Sequence, residues 1–130
     1  MILGLGCDIV NIERLLKSEK FLQDFKNKIL GENELAELND KAFNNTKKLA
    51  CSLAKRFAAK EAFAKALGCG FRDEVFLKNI ETLHDKLGKP YLKLSDEAQK
   101  KLYELSPKAK THISLSDDYP YAQAIVIIEE

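Results

Sequence analysis

The order of apolar and polar positions along the chain predicts a mixture of helices and strands. An apolar, β-branched run over residues 2–12 is typical of a strand that is buried on both faces. Helical spacing predicts a helix of about 20 residues that starts at one of the capping candidates Asn44, Asn45 and Thr46 and ends at Gly68. The other predicted elements are helices at 13–28, 32–39 and about 95–105, and strands at about 76–84, 90–94, 111–116 and 121–128.

The order of these elements predicts the fold class. Turn residues at 117–120 join the last two strands, so we expect an antiparallel hairpin there. The chain has 130 residues, and single domains most often contain about 100–150 residues. We therefore expect an α+β fold, with an antiparallel sheet packed against a long central helix, in a single domain over residues 1–130.

Composition and charge narrow the range of functions. The formal net charge is +1, which gives no overall field to attract nucleic acid. No run approaches the ~20 apolar residues of a membrane span, so we expect no membrane insertion. The three cysteines, Cys7, Cys51 and Cys69, lack zinc-type spacing, which favours a reduced, cytoplasmic compartment.

Asp8 is a carboxylate within the first apolar strand. Period-two alternation puts it on the same face as Gly4 and Gly6, which predicts open space beside it. A charge in such a strand needs a partner, since burying it alone is costly. Backbone N–H groups or a nearby cation would satisfy it, and so would a metal ion; the sequence leaves both interpretations open.

The long helix contains the second group of candidates. Glu61 and Lys65 are i,i+4 neighbours in a stripe of small residues, where a groove could admit a ligand or where they form an ordinary surface pair. Arg56 and Lys60 form another such pair in an apolar stripe, and cations of this kind suit phosphate oxygens. Carboxylates at Asp8 and Glu61 with cations nearby match the usual way of holding Mg²⁺ and substrate phosphates. The combination indicates pyrophosphate chemistry.

Other features exclude some functions or leave them open. Gly4 and Gly6 lack the third glycine of a dinucleotide fingerprint, because Ile9 stands there, and no Walker-type motif occurs. The sequence therefore disfavours a Rossmann oxidoreductase and a P-loop nucleotide hydrolase. His112 stands alone on a predicted strand, where a structural histidine is the commoner case, so the pattern alone assigns it no role.

The predicted first helix has a basic edge. Arg14, Lys17 and Lys20 are spaced i,i+3,i+6 beside apolar side chains, which would fit an acidic helical partner. A core-facing helix with a solvated basic side explains the same pattern equally well.

Several segments together resemble the bacterial holo-acyl-carrier-protein synthases of the 4′-phosphopantetheinyl transferase family. Residues 4–14 resemble the opening motif of that family, and residues 56–68 resemble its signature almost position for position. Residues 88–90 and 112–116 follow in the expected order. One departure is Asp117-Asp118, where many relatives carry histidine or serine.

The resemblance implies a fold, an assembly and a reaction. The fold would be that of the 4′-phosphopantetheinyl transferases, assembled as a homotrimer with active sites between subunits. The reaction would be the Mg²⁺-dependent transfer of 4′-phosphopantetheine from coenzyme A to a serine of apo acyl carrier protein. Its products would be holo acyl carrier protein, which supports fatty acid biosynthesis, and adenosine 3′,5′-bisphosphate.

The same resemblance assigns residues to roles. Asp8 and Glu61 would hold Mg²⁺, with Glu61 and Lys65 the catalytic residues. Coenzyme A would be contacted by Arg56, Lys60, Lys65, Gly68 and His112, the last from the neighbouring subunit. The acidic carrier protein would face Arg14, Lys17 and Lys20.

The mechanism expected from these roles is attack of the serine hydroxyl on the β-phosphate, with Lys65 neutralising the leaving group. The proton acceptor stays open among Glu61, a metal-bound water, Glu32 and Glu34. Two rival functions remain: a Mg²⁺-dependent phosphohydrolase that uses the same side chains, and an adaptor that binds acidic helical proteins.

Overall fold

The computed structural model describes residues 1–40, 45–69 and 76–130. Helices α1 to α4 within these ranges are Glu19–Ile29, Glu32–Asp40, Thr46–Leu67 and Asp96–Leu105. Strands β1 to β5 are Ile2–Asn11, Ile80–His84, Pro90–Leu94, Lys110–Asp118 and Tyr121–Glu129. Short 3₁₀ turns at Ile12–Leu15 and Leu77–Asn79 lead into α1 and β2.

Two antiparallel sheets pack with the helices. The larger has the strand order β1-β5-β4, and β2 pairs with β3 in the smaller. The predicted terminal hairpin is confirmed, because β4 and β5 pair from Lys110–Glu129 to Asp118–Tyr121. Helix α3 lies across the inner face of the larger sheet and contacts β1 and β5 most extensively. The predicted α+β fold, with an antiparallel sheet packed on a long helix, is therefore confirmed.

Helix α3 begins and ends at the predicted residues for identifiable reasons. The side chain of Asn45 accepts hydrogen bonds from the backbone N–H groups of Lys47 and Lys48, which caps the helix. Gly68 ends it with φ +82°, a left-handed conformation that glycine adopts without strain. The alternative cap, Asn44, lies outside the described residues. Neither α3 nor another described helix combines the length and apolar character that crossing a membrane requires.

The face of β1 that carries Gly4 and Gly6 is packed directly on α3. A Cβ atom at Gly4 would lie 2.1 Å from the carbonyl oxygen of Ala66, and one at Gly6 would lie 1.8 Å from that of Ala62. Two residues of a strand span about 6.6 Å, and four residues of a helix span about 6 Å. Because these lengths are nearly equal, every second residue of β1 meets every fourth residue of α3. The predicted open space beside Asp8 on this face is wrong, because the backbone of α3 fills it.

The predicted helix over 13–28 is wrong in its first half. The side chain of Asn11 accepts a hydrogen bond from the N–H of Glu13 and starts the 3₁₀ turn. Ser18 then caps α1 by accepting a hydrogen bond from the N–H of Phe21. Two local caps therefore divide a segment that helical periodicity alone reads as continuous. The predicted strand over 76–84 also starts late, at Ile80.

The outer face of β1 is exposed, which corrects the prediction of a strand buried on both faces. Leu5 is 65% exposed and Ile9 is 62% exposed, although both are large and apolar. On the adjacent strand β5, Tyr121 and Ile125 are exposed on the same side of the sheet. Helix α3 covers the opposite face of β1. The apolar residues of this strand therefore belong to two surfaces, one buried against α3 and one exposed.

The contact between β1 and α3 yields a stability prediction. Gly6→Ala should lower the free energy of unfolding by about 1–3 kcal/mol, because the added methyl group forces the strand and the helix apart. Gly88→Ala is the comparison, since Gly88 has a positive φ but open space around a Cβ atom. It should cost only the backbone strain, about 1 kcal/mol. Urea denaturation measures both, and equal losses would contradict the close-packing explanation.

Candidate active site

A cleft of about 440 Å³ opens where β1 meets α1 and α3. Asp8 reaches it from β1, and Glu61 reaches it from α3. The rest of the lining is aromatic, apolar or basic: Ile9, Val10, Arg14, Leu15, Lys17, Phe21, Phe25 and Phe57. Two carboxylates predicted to act together therefore face the same cavity.

Lys65 links this cleft to the β1 backbone. Its Nζ lies 3.0 Å from Asp8 Oδ1 and also donates a hydrogen bond to the carbonyl of Cys7. The hydrogen bond to Asp8 raises the pKa of Lys65, so the side chain is cationic. Burial and then the nearby charge of Asp8 raise the pKa of Glu61. The structure thus brings Asp8, Glu61 and Lys65 together as one charged cluster.

The cluster fits a divalent cation. Repulsion between the carboxylates of Asp8 and Glu61 contributes to the raised pKa of Glu61, and a bound cation would relieve it. The described part of the chain holds no group of three or more histidine, cysteine and acidic side chains that would enclose a metal. Two acidic ligands at an open cleft suit Mg²⁺, which keeps several waters and binds substrate phosphates.

The basic side chains before and within α1 do not form one helical edge. Arg14 and Lys17 precede α1 and line the cleft, and the Nζ of Lys17 lies 5.0 Å from the ring centre of Phe21. The Lys20 side chain is 87% exposed and pairs with Asp24 at 3.6 Å. Only the first two cations therefore belong to the cavity.

Gly68 and His112 lie on different elements of the fold. Gly68 is exposed at the end of α3, three residues after Lys65. His112 lies on the outer side of β4, where its Nε2 is 2.7 Å from Glu129 Oε1. Strand β5 separates β4 from β1, so His112 does not join Asp8 within one chain.

Comparison with known proteins identifies the family. Residues 4–124 match the 4′-phosphopantetheinyl transferase superfamily. A holo-[acyl-carrier-protein] synthase of Erythrobacter litoralis is 46% identical over an alignment of 133 positions, which covers 99% of this chain and 97% of the relative. The chain belongs to the 4′-phosphopantetheinyl transferase superfamily. The family predicted from the sequence is confirmed.

Solved structures of the superfamily agree with this fold. The holo-[acyl-carrier-protein] synthase of Neisseria meningitidis superposes with a TM-score of 0.83 and 40% identity, and the match covers 100% of both chains. The synthase of Bacillus anthracis, solved in complex with CoA (3′,5′-ADP), superposes with a TM-score of 0.77 and 35% identity over 98% of this chain and 96% of that one. The transferase fold predicted from the resemblance is confirmed.

Lys60 belongs to a buried ion pair of this transferase and does not reach the cleft. Its Nζ lies 2.6 Å from Glu34 Oε1 and donates a second hydrogen bond to the carbonyl of Ile80. The side chains of Lys60 and Glu34 are both 0% exposed. Burial raises the pKa of Glu34 and lowers that of Lys60, and the attraction within the pair opposes both shifts. The pair joins α3 to α2 and β2.

Glu34 and Glu81 extend this pair into a network. Glu34 accepts hydrogen bonds from the N–H groups of Gly31 and Thr82. Glu81 accepts from the N–H of Glu34 and from the side chain of Asn33, both at 2.9 Å. The bonds from the N–H groups of Gly31 and Glu34 satisfy donors at the start of α2, so each carboxylate also caps this helix. Sequence reasoning missed the network, although a glutamate three residues after Gly31 is a capping signal.

Arg56 is also held by this network. It is 3% exposed, its Nη2 lies 2.6 Å from Glu37 Oε2, and its Nη1 donates to Ser52. Its Nε lies 3.7 Å from Glu34 Oε2. Unlike Lys60, Arg56 reaches the wall of a cavity, on the side of α3 away from Asp8.

The network yields a second stability prediction. Lys60→Met should lower the free energy of unfolding by roughly 3–5 kcal/mol, because it leaves Glu34 buried without its charged partner. Lys20→Met is the control, because the side chains of Lys20 and its partner Asp24 are 87% and 67% exposed, so little change is expected. Urea denaturation at one protein concentration checks both. Similar losses in the two variants would show that the buried pair is not the stabilising contact.

Proposed function

We propose that this chain transfers 4′-phosphopantetheine from coenzyme A to a serine of apo acyl carrier protein, in support of fatty acid biosynthesis. The products are holo acyl carrier protein and adenosine 3′,5′-bisphosphate. The observation that carries the proposal is the cluster of Asp8, Glu61 and Lys65 at an open cleft. Full-length similarity to holo-[acyl-carrier-protein] synthases supports the choice of donor and acceptor.

The reaction is a phosphoryl transfer. The serine oxygen bonds to the β-phosphorus of coenzyme A, the bond from that phosphorus to the bridging oxygen breaks, and the leaving bisphosphate keeps the electron pair. Lys65 is the cation that neutralises the leaving group, and its 3.0 Å contact with Asp8 orients it before substrate binds.

The serine loses its proton, and of the three carboxylates considered as acceptors only Glu61 lines the cleft. Glu34 is buried against Lys60, and Glu32 is exposed on α2 and does not line the cleft.

Asp8 and Glu61 are the residues that would hold Mg²⁺. When bound, Mg²⁺ supplies positive charge to the pyrophosphate and lowers the barrier to its cleavage. The two side chains face a cavity that is open enough for phosphate oxygens and water to complete the coordination.

Arg14 and Lys17 are the proposed contacts for the carrier protein. Both line the cleft together with Phe21 and Phe25. An acidic carrier helix would pair with these cations while its serine approaches Glu61. Lys20 extends the basic surface further from the cavity, where it already pairs with Asp24.

The active assembly in this proposal is a homotrimer. Leu5, Ile9, Tyr121 and Ile125 form an exposed apolar surface on the outer face of the larger sheet, which a second copy would cover. His112 lies on the same outer face, so packing through it would bring His112 of a neighbouring copy toward coenzyme A. The number three comes from the resemblance to the family.

The proposed coenzyme A site contains residues from the end of α3, from the middle of α3 and from β4 of a neighbouring copy. Lys65 and Gly68 are exposed at the end of α3, and Arg56 and His112 are the further contacts. Lys60 has a supporting role in this proposal, because its ammonium group is fully enclosed by Glu34 and the carbonyl of Ile80.

The transfer is tested by intact-protein mass spectrometry of apo acyl carrier protein incubated with the enzyme, coenzyme A and Mg²⁺. We expect a gain of one phosphopantetheine mass that EDTA abolishes. Asp8→Asn and Glu61→Gln should slow it by roughly 10²-fold or more, because each removes a charge that faces the pyrophosphate. Glu104→Gln, an exposed change on α4, is the control with unchanged rate.

Two outcomes would contradict the proposal. Mg²⁺-dependent cleavage of coenzyme A without any carrier would identify a phosphohydrolase. Binding of the carrier that ignores EDTA, with no gain of mass, would identify an adaptor. Circular dichroism of each variant separates loss of chemistry from loss of folding.

The assembly is tested by light scattering. Leu5→Glu should dissociate the homotrimer, because it puts a charge in the apolar outer face. Transfer should fall with it, since the site would lose side chains from the neighbouring copy. Lys108→Glu, an exposed change before β4, should leave the assembly intact. A wild-type chain that is monomeric and fully active would refute this part of the proposal.

A further inference from the structure

A second cavity lies on the opposite side of α3 from Asp8. It has a volume of about 360 Å³ and lies between the first half of α3, β2 and β4. Its charged lining is entirely basic among the described residues: Lys48, Lys55, Arg56 and His84. We name this cavity the basic cleft. Helical spacing of 100° per residue puts its α3 side chains on the face opposite to Phe57 and Glu61.

One carboxylate behind the wall of the basic cleft holds two of these basic groups. Glu37, on α2, accepts a hydrogen bond from Arg56 Nη2 at 2.6 Å through Oε2. Its Oε1 accepts from the backbone N–H of His84 at 2.8 Å. The ring Nδ1 of His84 lies 3.3 Å from Oε1 and 3.2 Å from Oε2. Glu37 therefore fixes the guanidinium and the imidazole relative to each other.

Glu37 is suited to this role by its charge. Burial disfavours the ionised form, but the hydrogen bonds from His84 and the charge of Arg56 outweigh it and lower the pKa of Glu37. An ionised carboxylate at Nδ1 orients the imidazole with a proton on that nitrogen. The other ring nitrogen, Nε2, is then not used by Glu37, and in the imidazolium form, with a proton on each nitrogen, its N–H can donate to a phosphate oxygen.

The other side chains that line the basic cleft include one lysine that already has an acidic partner and one apolar residue. Lys55 Nζ lies 3.2 Å from Asp117 Oδ1, so part of its charge is already compensated. Leu115 adds an apolar side chain to the lining. A guanidinium fork, an imidazole and ammonium groups beside an apolar wall suit a phosphomonoester attached to a nucleoside.

We propose that Glu37 is a positioning residue. It holds the side chains of Arg56 and His84 next to each other, so that both can bind the phosphomonoester at the nucleotide end of coenzyme A. This inference rests on the proposed function, because it assumes coenzyme A as the donor. It adds His84 as a binding residue and Glu37 as the residue that orients it. Since the two cavities lie on opposite faces of α3, one coenzyme A that uses both would bind between two copies of the chain.

The test compares coenzyme A with dephospho-coenzyme A, which lacks only the phosphomonoester. His84→Ala should raise KM for coenzyme A about tenfold and leave kcat and the KM for dephospho-coenzyme A unchanged. His84→Gln, which keeps an N–H group near the position of Nε2, should restore most of the affinity. Glu37→Gln should also raise only the KM for coenzyme A, because it removes the charge that orients both basic groups.

Asp40→Asn is the matched control for Glu37→Gln, since it removes an exposed carboxylate from the same helix. It should change neither KM. Equal changes for the two donors in Glu37→Gln and His84→Ala would overturn the proposal, since a purely structural role affects both donors alike. Thermal melts of each variant show that the comparison is made on folded protein.

Calorimetry provides a readout that does not depend on transfer. Wild-type protein should bind adenosine 3′,5′-bisphosphate about tenfold more tightly than adenosine 5′-monophosphate, and His84→Ala should remove this preference. A wild type without the preference would overturn the assignment of the basic cleft, whether or not transfer is observed. A wild type that binds with this preference but transfers nothing would overturn the proposed function and leave the basic cleft supported.

Discussion

The close approach of β1 to α3 is the constraint on which the rest of the site depends. With no side chain at Gly4 or Gly6, the strand backbone lies against the helix carbonyls of Ala66 and Ala62. Asp8 follows two residues after Gly6 on the same face, so this contact fixes its distance from Glu61 and Lys65. The charged cluster is thus a consequence of backbone packing, with no flexible loop among the elements that carry these three residues.

The opposite side of α3 is held by charge instead of close packing. Lys60 is inserted between α2 and β2, where Glu34, Glu81 and Arg56 complete the network. Because the charged groups of this buried network are paired with one another, the network favours one position of the helix. The helix is therefore fixed on one face by apolar contact and on the other by paired charges, and the functional carboxylate lies on the apolar side.

Local signals in the sequence were sufficient for much of the fold. Asn45 and Gly68 mark the ends of α3 by capping and by a positive φ, which depend on a few neighbouring residues. The division at Ser18 was missed because a cap inside a periodic segment competes with a helix pattern that looks continuous. The exposure of Leu5 and Ile9 was also missed, since an apolar alternation does not reveal whether the second face meets the core or another surface.

The part of the candidate site that depends on local sequence signals was predicted, and the part that depends on distant contacts was not. Asp8, Glu61 and Lys65 could be predicted because the family motifs contain all three and helical spacing makes Glu61 and Lys65 neighbours. The burial of Lys60 depends on Glu34, 26 positions earlier in the chain, and no periodicity within α3 carries that information. The pairing of Arg56 and His84 through Glu37 likewise joins three separate elements. Such contacts exist only after the tertiary fold has formed.

Lys60 and Glu61 are consecutive residues, yet one faces the buried network and the other faces the cleft. Their side chains leave the helix in directions about 100° apart, so the position of each contact depends on the number of residues that separates it from the other. Inserting or deleting one residue between the Lys60 pair and the Gly6 contact would rotate one set of contacts away while the other stayed in place. The geometry of the cleft therefore depends on the number of residues between these two contacts as well as on their identity.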